Sequence, residues 1–112
     1  MHYLLTYHYT DDYLEKRGQF RNDHLCHAWA AQQRGELILG GVAGDPPNCA
    51  VLVFDCECAD SIEQFIKEDP YFFHGLVDSY TIEPWVTVVG DKAHTPIYPA
   101  SEDAQAPSMS LR

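Results

Sequence analysis

The stretch that most restricts the fold is residues 3–9, Tyr-Leu-Leu-Thr-Tyr-His-Tyr. Read as a strand, it places Tyr3, Leu5, Tyr7 and Tyr9 on one face and Leu4, Thr6 and His8 on the other. Apolar groups on both faces mark a central strand with both sides covered. Helices of a chain this short cover one face of a sheet, so a partner sheet is expected on the other, and the chain is expected to be a homodimer.

The remaining elements follow from caps, breakers and periodicity. Thr10-Asp11-Asp12 supplies helix-capping chemistry before a polar, helix-favouring stretch reaching about Arg34, with Gly35 as its stop. Strands are expected over residues 36–41 and 50–54, the second a nearly continuous apolar run. The glycine- and proline-rich residues 40–48 between them form a loop at their centre. They do not match a phosphate-binding loop, because no Lys-Ser/Thr and no helix follow. Asp60-Ser61 caps a second helix, residues 62–68, which ends at Asp69-Pro70 because the residue before proline is pushed out of the helical region. A last strand is expected over residues 79–89, and Pro84 inside it calls for an edge position or a bulge. The order βαββαβ is a split βαβ arrangement, an α+β ferredoxin-like fold with two helices on one face of an antiparallel sheet. Residues 1–90 form the domain, and 91–112 read as a polar, proline-containing tail, extended or disordered or laid over a partner subunit.

Charge narrows the function. With 7 Lys and Arg against 17 Asp and Glu the net charge is −10, which disfavours nucleic acid and anionic membranes as partners. No apolar run approaches the roughly 18–20 residues of a membrane span, and Met1-His2-Tyr3 does not open a signal peptide, so a cytoplasmic protein is expected. Cys26, Cys49, Cys56 and Cys58 contain no Cys-x-x-Cys pair. They are expected to be small buried residues kept reduced, with Cys56 and Cys58 on one face of a strand.

On a helical wheel, Leu14, Phe20, Leu25, Ala28 and Ala31 of the first helix form one arc, with Trp29 at its margin. Arg17, Arg21 and His24 fall in the same arc. Two guanidinium groups and an imidazole are costly to bury unpaired, so they are expected to be paired or to line a partly wet cavity. His24 and His27 have the spacing of two metal ligands on one helix face, but no third ligand accompanies them. No metal is expected, and His27 reads as a surface or interface residue. Asp69 before Pro70 serves either as a turn residue or as a carboxylate held on a rigid corner near aromatic walls.

Arg21-x-x-His24-Leu25, then Gly35-Glu36-Leu37-Ile38-Leu39-Gly40-Gly41, Asp69-Pro70-Tyr71, Gly75-Leu76 and Ile82-Glu83-Pro84-Trp85 occur in an order that resembles the YciI-like (YCII-related) family. The resemblance covers about residues 1–90. It implies a ferredoxin-like unit dimerising into a shared α+β barrel, and a His–Asp pair carried here by His24 and Asp69, with Arg21 preceding the histidine. One relative in that family is a dehydrochlorinase acting on a chlorinated hydroxyquinol, and the related muconolactone isomerase-type barrels act on small rings without cofactors. Two departures stand out: Gly41-Val42-Ala43-Gly44-Asp45 replaces the usual small residue and proline after the glycine turn, and the tail is long.

Two functions are in play. The first is a cofactor-free lyase or isomerase in which His24 is the acid–base group and Asp69 orients it. Arg21 and Arg17 then hold an anionic or phenolic ring substrate, against walls that include Tyr71. The second is a non-catalytic dimeric module that binds a small ligand or a protein. Whether His24 and Asp69 meet beside an open cavity discriminates between them.

Overall fold

The structure, a computed structural model, describes residues 1–100. Its elements are β1 (His2–Tyr9), α1 (Tyr13–Gln33), β2 (Leu37–Ala43), β3 (Cys49–Asp55), α2 (Asp60–Lys67), α3 (Pro70–Phe73) and β4 (Val77–Pro84). The four strands form one antiparallel sheet in the order β2-β3-β1-β4. This is the ferredoxin-like α+β arrangement, with β1 central as its two-sided apolar pattern requires.

Strand alternation divides the sheet. Tyr3, Leu5 and Tyr7 sit opposite Phe54, Leu52 and Ala50 of β3, and these side chains form one buried core with Ile62, Phe65 and Ile66 of α2 and with Tyr13 and Ala31 of α1. All the helices therefore lie on that face. Leu4, Thr6, Val51 and Val53 point the other way and are half-buried or exposed. Leu39, which pairs with Val53 after an irregularity in β2, is 71% exposed.

Local chemistry explains most boundaries. Gly35 closes α1 at φ +83°, where a side chain would be strained, and the Glu36 amide returns to the Ala31 carbonyl at 3.1 Å. Asp12 occupies the first cap position of α1 but makes no side-chain cap bond; its carboxylate accepts from Thr10 at 2.6 Å and pairs with Lys16 at 2.8 Å. At α2, Asp60 and Ser61 belong to the first turn instead of capping it, and Ala59 holds the cap position. There the Asp60 charge favours the positive end of the helix dipole.

Four expectations are corrected. β2 runs past Gly41 to Ala43, because pairing of Val42 with Ala50 and of Ala43 with Cys49 outweighs the local turn propensity. The last strand ends at Pro84, which pairs with Tyr3 on the sheet edge, instead of continuing to Val89. The α1 arc is only partly covered: Leu14, Leu25 and Trp29 are exposed, since the short α2 and α3 cannot shield a helix of 21 residues. The cysteines are not core residues either. Cys26 and Cys58 are exposed, Cys49 and Cys56 are half-buried, and Cys56 and Cys58 follow β3 instead of extending it. Beyond β4, the Thr95 and Ile97 amides bond the carbonyls of Thr87 and Val88. The part of the expected tail over residues 101–112 lies outside the described residues.

Candidate functional site

Asp69 is fully buried at the junction of α2 and α3, and its burial is made tolerable by three donors. It caps α3: Oδ1 accepts the Tyr71 amide at 3.0 Å, on the turn that Pro70 pre-organises. Oδ2 accepts the Tyr7 hydroxyl at 2.8 Å, which arrives from the centre of β1. The third donor is His24, whose Nδ1 lies 2.8 Å from Oδ1. A carboxylate already holding two donors is best matched by Nδ1–H, and this leaves Nε2 as the unengaged nitrogen of the ring.

The imidazole is held on its face as well as its edge. It stacks on Tyr71 at 3.9 Å between centroids and 7° between planes. Behind it, Tyr9 stacks on Tyr13 at 3.6 Å, and Tyr71 meets Tyr13 edge to face at 5.7 Å. Burial pushes the Tyr7 hydroxyl well above its ordinary value, and the Asp69 charge adds to the shift, so Tyr7 stays a donor. The Tyr71 hydroxyl is pushed up to about 12, chiefly by burial and then by Tyr13, while Arg21 and Arg17 pull the other way.

His24 borders an open cavity of about 340 Å³ between α1 and the β2–β3 side of the sheet. Arg17, Arg21, Trp29, Tyr13, Tyr71 and Leu52 contribute to its walls. Arg17 donates to the Tyr13 hydroxyl at 3.3 Å and lies over that ring at 5.4 Å. Among the described residues no ion pair engages Arg17 or Arg21, so both guanidinium groups are available to an anion in the cavity.

The structure therefore brings together His24, Asp69, Arg17, Arg21 and Tyr71. His27 behaves differently from the surface or interface role expected of it: Nε2 donates to the Phe65 carbonyl at 2.9 Å and the ring stacks on Phe65 at 4.4 Å. It fastens α1 to α2 and forms no pair with His24. The bond from Tyr7 to Asp69 is what sequence reasoning missed. Tyr7 shares one face of β1 with Tyr3, Leu5 and Tyr9, and its hydroxyl resembled that of any aromatic wall or core tyrosine.

The model of the YCII-related domain matches residues 1–86. The chain belongs to the YCII-related family. The 5-chloro-2-hydroxyhydroquinone dehydrochlorinase TftG of Burkholderia phenoliruptrix AC1100, solved with 2,5-dihydroxybenzoquinone, superposes with a TM-score of 0.67. It is 20% identical, over 78% of this chain and 95% of that one, so the likeness shows the shared fold. Protein Atu4242 of Agrobacterium tumefaciens is similar over 74% of this chain and 89% of its own, at 16% identity and a TM-score of 0.47. No curated protein sequence matches the chain. The family match covers all the elements that bring His24 and Asp69 together in this YCII-related chain.

Proposed function

We propose that this protein is a cofactor-free lyase or isomerase for a small anionic or phenolic ring compound, with His24 as the acid–base group and Asp69 as its orienting partner. The observation that carries the reading is the 2.8 Å contact between His24 Nδ1 and a fully buried carboxylate beside an open cavity. Asp69 holds one tautomer and offsets the charge when Nε2 takes a proton. Arg17 and Arg21 receive the substrate's carboxylate or phenolate oxygen. The cavity volume is at the lower end of the roughly 300–1,000 Å³ of ligand pockets, which suits a single ring.

The chemistry is proton transfer. Nε2 removes a proton from a hydroxyl or an activated carbon of the bound ring, and the freed electron pair moves into the ring. In isomerisation the imidazolium returns the proton at another atom. In elimination the electron pair expels an anion, and the proton later passes to solvent. Loss of hydrogen chloride, the reaction named for TftG, is of the second kind.

The test screens small aromatic acids, phenols and lactones by thermal shift and then follows stabilising compounds by NMR in deuterated solvent. Ligand C–H exchange or chloride release is expected with wild type and absent with His24→Ala. Ligands that bind both proteins equally, without turnover, would end the catalytic reading and favour a binding module.

The assembly we propose is a homodimer through the sheet face opposite the helices. Leu39 and Val51 are exposed there beside half-buried Leu4 and Val53. A second copy offers the same apolar face, as a two-fold interface requires. Light scattering at micromolar concentration should give twice the chain mass, and a monomer would refute the assembly. Among the described residues no helix is long and apolar enough to cross a membrane.

A further inference from the structure

On the sheet face away from His24, three segments converge on a second cluster of chemistry-bearing side chains. His2 opens β1, Asp55 ends β3 as its register partner, and His94 returns on the chain that follows β4. One donor atom from each lies within 4.8 Å of the other two. We infer that His2, Asp55 and His94 form a binding site for a divalent transition-metal ion, with zinc as the reference ion.

The surroundings orient each donor. His2 is only 5% exposed, and its Nδ1 lies 2.8 Å from Thr87 Oγ1, which also accepts the His94 amide at 2.9 Å. With the Nδ1 proton directed at Thr87, His2 presents the Nε2 lone pair. Such an outer contact fixes the tautomer and ring orientation of a metal-bound histidine. Asp55 Oδ1 takes the Met1 amino group at 3.1 Å, while Oδ2 lies 3.3 Å from His94 Nε2. Two imidazoles and one carboxylate form a three-ligand set that leaves a fourth position for water. Their nitrogen donors select zinc, cobalt, nickel or copper over magnesium and calcium.

The rings currently stack at 3.7 Å with 19° between planes, so their lone pairs run nearly side by side. His94 is exposed and can swing until both nitrogens point at one ion. The bound ion then ties the start of β1 and the end of β3 to the segment after the family domain, where no sequence spacing links the ligands. Binding to the folded state alone raises its stability by mass action.

The experiment uses untagged full-length protein stripped by chelator and titrated with cobalt(II). One cobalt per chain is expected, with visible d–d bands and no thiolate charge-transfer band, and zinc should displace it. Zinc should also raise the melting temperature. His94→Ala, at an exposed position, should weaken binding at least about tenfold. Thr87→Val should weaken it roughly 10–100-fold, as the loss of outer-shell partners does, while His24→Ala binds as wild type does. Absence of one-to-one binding would overturn the site. Thiolate charge transfer, or wild-type affinity in both His94→Ala and His2→Ala, would do the same.

Discussion

Raising the pH should unfold this protein steeply, because its site is built on buried tyrosines. Tyr7, Tyr9 and Tyr71 are 0%, 9% and 2% exposed. Burial raises all three hydroxyls above their ordinary value of 10.0, seconded by the Asp69 charge at Tyr7 and by Tyr13 at Tyr9 and Tyr71. In the unfolded chain each titrates near 10. Above that pH the unfolded chain has released protons that the folded chain keeps, so it binds fewer protons and stability falls as pH rises. The stabilisation is intact below about pH 10. Past it, each tyrosine removes about 1.4 kcal/mol per pH unit, until about pH 12 for Tyr71. By about pH 11 the three together have removed about 4 kcal/mol, against the 5–15 kcal/mol that typically holds a domain. Circular dichroism and near-ultraviolet tyrosinate absorption, recorded on the same samples, should therefore show cooperative unfolding at about pH 11–12 together with a burst of ionisation. Tyr7→Phe should reduce the slope by about a third. It should also cost about 1.5–3 kcal/mol at neutral pH, because Asp69 Oδ2 loses its donor. Complete tyrosinate absorption with native circular dichroism would refute this reasoning.

Asp69→Asn should leave the fold intact but slow any turnover roughly 10²-fold or more, measured by steady-state kinetics. Its carbonyl must take the Oδ1 position shared by His24 and Tyr71, and its amide then faces a Tyr7 hydroxyl that turns to accept. Imidazole nitrogen shifts should show an unchanged tautomer in this variant. Arg21→Gln and Arg17→Gln should each weaken anionic ligands roughly 10–150-fold in calorimetry and leave neutral ones unaffected, since a charge-assisted bond contributes about 1.5–3 kcal/mol. Gly44→Ala should lower the melting temperature. At φ +103° its Cβ would lie 2.7 Å from the Asn48 side-chain oxygen and 2.9 Å from the Pro46 carbonyl.

Features that depend on a short window were legible in the sequence. The shared face of the β1 tyrosines, the stop at Gly35, the break at Asp69-Pro70 and the constraint that Pro84 puts on the last strand each follow from local chemistry. The ordered motifs also pointed to His24 and Asp69 through the family, though no spacing argument could place residues of two helices against each other. The tertiary structure decided the rest. Whether Leu25 and Trp29 of α1 are covered depends on the length of the elements opposite them, which a helical wheel does not contain. Val42 and Ala43 became strand because β3 supplied partners that a turn would have left unpaired. Tyr7 reaches Asp69, and His2 reaches Asp55 and His94, only because sheet register and chain return set positions across long separations. Hydrogen bonds act over about 3 Å. A change of one residue in register reverses every side chain of a strand, so the partners of a polar group are fixed only once the whole sheet is assembled.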